Sequence, residues 1–143
     1  MKILLILFII PLFFLKKIMN LLLDTHVLIW ALENNPLLST SAREAIIDGG
    51  NIVFISAASA WEISIKMAMG KLKVPDNLIE EVELHRFTRL NINFEHAEIA
   101  GKLPDIHKDP FDRMLIAQAK IEKLILVTSD SLILQYDVKT LKA

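Results

Sequence analysis

The segment Lys108-Asp109-Pro110-Phe111-Asp112-Arg113 sets two carboxylates three positions apart at what reads as a helix start. Asp109 suits the N-cap, where its side chain accepts from backbone N–H groups that have no partner in the helix. Pro110 suits the first helical position, where a missing N–H costs nothing. The run that follows, to residue 123, is rich in strong helix formers. At about 100° per residue, Asp112 points the same way as Leu115, Ile116 and Ala119. An acid on an apolar helix face is costly to bury unless something pairs with it. Capping is one reading of this pair, with Asp109 bonding the backbone and Asp112 facing the positive end of the helix dipole.

Three further acids favour a different reading. Asp24 directly follows the apolar run 20–23, and Asp130 follows the apolar run 124–127 within three residues. Glu62 lies in a helix that leaves a strand over 51–55, and its direction falls near Ala58, Ile65 and Met69. Each has a plain explanation: Asp24 as a cap, Asp130 as a turn residue, Glu62 as an i,i+4 partner of Lys66. One shared cause is more economical. In open parallel sheets, ligands sit beyond the carboxyl ends of the strands. If the first and fourth strands are neighbours, Asp24, Glu62, Asp112 and Asp130 converge there.

Clustered carboxylates stay ionised together only around a positive charge. Oxygen-only ligands suit Mg2+ or Mn2+ rather than zinc. Such a site activates water and holds a phosphate oxygen during in-line displacement, which is phosphodiester hydrolysis. The acids alone do not separate DNA from RNA. Arg113 and Lys66 are candidate phosphate contacts.

Other chemistries are not encoded. The sequence has no G-x-G-x-x-G, no G-x-x-x-x-G-K-[ST] and no G-x-S-x-G. His26, His85, His96 and His107 lack paired metal-ligand spacing, and structural or solvent roles are expected of them. Trp30, Trp61, Met67 and Met69 are read as core.

The elements that must position the acids alternate in type. Strands are expected over 20–23, 51–55, 89–92, 124–127 and 138–141. The first helix starts at Asp24-Thr25 and ends at Asn34-Asn35-Pro36. Ser39 or Ser41 caps the second, and Ser56 or Ser59 opens the third, which Gly70 stops. Pro75-Asp76 opens a fourth helix over 77–86. A fifth covers 95–103, the sixth is the Asp112 helix, and a short helix covers 131–134. Apolar strands alternating with helices predict an α/β fold, a three-layer α/β/α arrangement around a central parallel sheet.

The 143-residue chain holds one domain's worth of sequence, with no Cys and a formal net charge of −1. A disulfide framework and a thiolate metal site are thereby excluded, a reducing cytosol is permitted, and no basic stripe marks a phosphate-binding face. The hydrophobic fraction of 53% is inflated by the first segment, where Ile3 to Leu15 form an apolar run broken by Pro11, with Lys2 before it and Lys16-Lys17 after. This stretch is short of the about 20 apolar residues of a membrane span. It resembles a signal peptide but carries no small-x-small cleavage site. Met19 would open the chain directly on a strand, so residues 1–18 are expected to be an upstream extension of the reading frame, with 19–143 the working domain. The alternative is a membrane tether. Cytoplasmic location is expected, with membrane association only if residues 1–18 are retained.

Four ordered blocks carry a resemblance: Leu22-Leu23-Asp24-Thr25-His26-Val27-Leu28-Ile29-Trp30, Ser59-Ala60-Trp61-Glu62-Ile63, His107 through Ala119, and Val127-Thr128-Ser129-Asp130. Together with Lys71-Leu72-Lys73-Val74-Pro75 they resemble PIN-domain ribonucleases, and within these the VapC-type toxins of bacterial toxin–antitoxin pairs. The resemblance spans about residues 19–142. It implies a Mg2+- or Mn2+-dependent endoribonuclease, a homodimer and a cognate antitoxin protein. It maps the acidic site onto Asp24, Glu62, Asp112 and Asp130, with Asp109 as an outer contributor and Thr128 orienting water or Asp130. A non-catalytic PIN-like binding module and a DNA nuclease with the same metal site are the alternatives. Residues 1–18 depart from the family pattern.

Overall fold

The computed structural model describes residues 17–74 and 77–143. Its strands are β1 (Asn20–Leu23), β2 (Ile52–Ser56), β3 (Thr88–Leu90), β4 (Ile125–Thr128) and β5 (Thr140–Lys142). Among the described residues, α1 (Thr25–Glu33) and α2 (Thr40–Ile47) link β1 to β2. Helices α3 (Ala57–Ala68) and α4 (Leu78–Leu84) link β2 to β3, and α5 (Phe94–Lys102) and α6 (Pro110–Glu122) link β3 to β4. A 3-10 turn (Ile133–Gln135) precedes β5.

All four strand pairings are parallel, and the sheet order is β3-β2-β1-β4-β5. The chain builds outward from β1 in one direction, then returns to add β4 and β5 on the other side. The order therefore reverses between β1 and β4, which makes their carboxyl ends the switch point where such sheets bind ligands.

Period-two alternation divides the core. Leu21 and Leu23 of β1, with Val53, Ile55 and Val127, face one side and pack against Val27 and Leu28 of α1, Ala42 and Ala45 of α2, and Ile63 of α3. Leu22 and Leu126 face the other side and meet Leu115, Ile116 and Ala119 of α6, with Leu103 and Ile133. A strand buried on both faces has no polar side to present, which is why β1 reads as an unbroken apolar run. No helix among the described residues is long and apolar enough to cross a membrane.

The caps follow local chemistry. Ser39 rather than Ser41 caps α2, and Ser56 rather than Ser59 caps α3. Gly70 carries a φ of 68° just beyond α3, a left-handed turn that glycine takes without strain. Pro75 and Asp76, expected to open α4, lie outside the described residues, as does most of the expected extension 1–18. Helix α4 ends at Leu84, short of the expected 86, because His85 caps it and Arg86 turns left-handed with a φ of 58°.

Two expectations are corrected. Trp61 is 62% exposed, and Met69 is also exposed. On α3 the inward stripe is Ala58, Ser59, Glu62 and Ile63; Trp61 lies one residue off it and meets Phe111 in a T-shaped contact, at a centroid separation of 5.3 Å. Met69 is the C-cap, already past the stripe. Trp30 does pack against the core, partly buried.

Candidate metal centre

Asp24 leaves the end of β1 and caps α1. Its Oδ1 accepts from the Val27 N–H at 2.8 Å, and its Oδ2 accepts from the Thr128 hydroxyl at 2.6 Å. The same hydroxyl accepts from the Asp130 N–H at 3.0 Å, so one threonine at the end of β4 ties two acids to the switch point. Asp24 is only 5% exposed. Burial pushes its carboxyl above the usual range, against the bonds from Thr128 and Val27.

Glu62 reaches the same place from α3 and is likewise 5% exposed. Thr25 Oγ1 donates to its Oε1 at 2.6 Å, and Lys66 Nζ lies 2.6 Å from its Oε2. The i,i+4 pair with Lys66 therefore exists, with its Glu62 end buried and its Lys66 end 40% exposed. The bond to Glu62 raises the Lys66 ammonium above its ordinary value.

Asp112 stands in the first turn of α6. Asp109 caps that helix, its Oδ1 accepting from the N–H groups of Phe111 and Asp112. Helix α6 is anchored by buried Gln118, whose Oε1 accepts from Ser56 Oγ at 2.6 Å and whose Nε2 donates to Asn91 O. Burial first, then the negative charge of Asp109, pushes the Asp112 carboxyl up to about 7; Glu62 and Asp24 push the same way and His107 opposes.

Asp130 opens the turn after β4. Its burial works to raise the carboxyl, but the bonds from the His107 ring and from the N–H groups of Leu132 and Ile133 outweigh it, so Asp130 sits below the usual range.

Asp24, Glu62, Asp112 and Asp130 line one cavity of about 220 Å3, with Thr25, His26, Lys66, Asp109 and Ser129. All four expected acids are thus brought together at the switch point. Their oxygens fit a hard divalent cation, whose charge would offset both the burial and the neighbouring negative charges that raise the Asp112 carboxyl. Lys66 also lines this cavity. Arg113 does not: its guanidinium donates to the carbonyls of Leu103, Pro104 and His107, which holds a loop rather than a ligand.

His107 was not readable as a site residue. It is buried, and its Nε2 lies 3.0 Å from both Asp112 Oδ2 and Asp130 Oδ2. Its spacing from the acids carries no metal motif, and only its place beside Asp109 hinted at the role.

The PIN domain family profile matches residues 21–139. No curated protein sequence matches the chain. Among solved structures, it is similar to a chain of DNA-bound VapBC2 from Rickettsia felis, with TM-score 0.64 and 16% identity over 86% of this chain and 98% of that one. It is also similar to a chain of DNA-bound VapBC from Salmonella typhimurium, with TM-score 0.62 and 20% identity over 87% and 98%. A chain of FitAcB from Neisseria gonorrhoeae aligns with TM-score 0.60 and 20% identity over 85% and 96%. A profile match over most of the chain, on a parallel sheet with this strand order and an acidic switch point, places the chain in the PIN domain family.

Proposed function

We propose that this chain is a metal-dependent endoribonuclease of the VapC type, the toxin of a toxin–antitoxin pair. The observation that carries the proposal is the convergence of Asp24, Glu62, Asp112 and Asp130 on one small cavity at the switch point. The likeness to VapBC complexes supports the toxin role and an antitoxin partner; the homodimer rests on the family resemblance alone.

Asp24, Glu62, Asp112 and Asp130 would hold Mg2+ or Mn2+, one or two ions. When bound, the metal supplies positive charge beside the scissile phosphate and acidifies a water for attack at phosphorus. The protein's own part is orientation. Thr128 and the Val27 N–H aim the Asp24 oxygens, and Thr25 and Lys66 aim those of Glu62. Lys66, exposed enough to meet substrate, would contact a phosphate oxygen next to the cleaved bond.

Purified protein should cleave single-stranded RNA in Mg2+ or Mn2+, stop when EDTA is added, and leave DNA of the same sequence intact. Asp24→Asn should lower cleavage by more than about 100-fold, beyond the effect usual for a residue that only supports a metal ligand, while circular dichroism stays unchanged. Cleavage of DNA alone would reassign the substrate. Undiminished cleavage by Asp24→Asn would remove the assigned role.

A further inference from the structure

The trio His107, Asp112 and Asp130 has the arrangement of a mixed nitrogen–oxygen metal site, since one ligand-type atom from each lies within 4.8 Å of the others. The hydrogen bonding of the ring argues otherwise. The backbone N–H of Asp109 donates to His107 Nδ1 at 3.2 Å. A backbone N–H is only a donor, so Nδ1 must be the accepting nitrogen of the ring. In a neutral imidazole the proton then sits on Nε2. A protonated nitrogen has no lone pair to give a metal. What it can do is donate, and it does so to Asp130 Oδ2 at 3.0 Å, with Asp112 Oδ2 equally close.

We infer that His107 is a positioning residue that does not ligate the cation: its Nε2–H holds Asp130 by a hydrogen bond and sets the positive edge of the ring against Asp112, fixing the gap between the two carboxylates. This rests on the metal-centre reading proposed above and adds the residue that spaces two of its ligands.

The surroundings of the imidazole fit that task. The His107 N–H donates to Tyr136 Oη at 2.8 Å, and its carbonyl accepts from Arg113 Nη1 at 3.0 Å. Tyr136 Oη in turn donates to Pro104 O, the carbonyl that Arg113 also reaches. Two long side chains from different elements therefore clamp the backbone of one loop residue from both sides. Arg113 and Tyr136 do not line the acidic cavity, and holding this ring in place gives their bonds a purpose.

The test is Mn2+ binding by calorimetry to the full chain and to His107→Ala and His107→Gln. Glutamine keeps an N–H donor near the place of Nε2 but supplies no imidazole nitrogen. His107→Ala should weaken Mn2+ binding by about 10- to 100-fold, the usual effect of removing a group that supports a metal ligand, and His107→Gln should recover most of that loss. In the wild type, pulsed electron paramagnetic resonance of bound Mn2+ should show no directly coordinated nitrogen; this holds the inference open to refutation even if the alanine variant does not fold. A directly bonded nitrogen signal, or a glutamine variant as weak as the alanine one, would overturn the inference and leave the carboxylate site standing. Absence of Mn2+ binding by the wild type would instead overturn the metal-centre reading, and the positioning role with it.

Discussion

At the scale of single residues, the acids differ in how far the protein has already satisfied them. Both oxygens of Asp24, Glu62 and Asp130 accept hydrogen bonds or ion pairs from the chain. Among the described residues, Asp112 has the His107 ring alone against its Oδ2, and its carboxyl is pushed up to about 7. Its folded value lies above its ordinary one of 3.8, so the folded protein binds more protons than the unfolded chain between those values. The stability from a protonated Asp112 is fully present below about pH 4 and is lost as pH rises through about 7. Asp24, also raised, works in the same direction; Asp130, lowered, works in the opposite one but only in acid. Metal-free protein should therefore become easier to unfold in urea from about pH 4 to 7, less steeply in Asp112→Asn, and added Mn2+ should restore the lost stability. A flat profile in the wild type would contradict the shift. Thr128→Val keeps the side-chain volume but strands Asp24 Oδ2 and the Asp130 N–H. It should cost about 1–3 kcal/mol in urea unfolding, the penalty for buried polar groups left unpaired.

At the scale of elements, the site depends on where helices begin. Asp24 caps α1, Ser56 caps α3, the helix that carries Glu62, and Asp109 caps α6 just before Asp112. A cap and a ligand need the same things, an oxygen-bearing side chain and a defined exit from a strand or loop. That coincidence makes Asp24 legible in the sequence, and apolar periodicity, the Asp-Pro helix start and the end of an apolar run do the same for Glu62, Asp112 and Asp130; all are local signals. What stayed hidden is long-range. Arg113 looked like a phosphate contact because its partners, Leu103, Pro104 and Tyr136, are brought to it only by folding. His107 looked structural because its role depends on Asp130, beyond the whole of α6 and β4. Trp61 looked like core because hydrophobicity alone does not say which side of a helix faces out. Arg113→Lys tests the clamp: an ammonium cannot span three separate carbonyls as a guanidinium does. Urea unfolding should show a loss of about 1.5–3 kcal/mol, the range for hydrogen bonds to a charged group, and no loss would mean that the loop holds its shape unaided.

At the scale of the whole molecule, the fold is a parallel sheet whose strand order reverses once, with the acidic cluster at the reversal. The two core halves on either face of β1 and β4 brace the strand ends from which Asp24 and Asp130 emerge. The first strand starts at Asn20, and Met19 is already tied in, its N–H donating to Asn51 Oδ1 at 3.0 Å. A chain beginning at Met19 should therefore keep its circular dichroism spectrum and its metal affinity; loss of either would assign residues 1–18 to the working domain. The central claim is that the acidic cavity is stable as a cluster because it takes a cation. Calorimetric titration of Mn2+ into the wild type and into Asp112→Asn tests it most directly. Saturable binding by the wild type, weakened by more than about 10-fold in the variant, is the predicted result. No binding by the wild type, or equal binding by both, would contradict it.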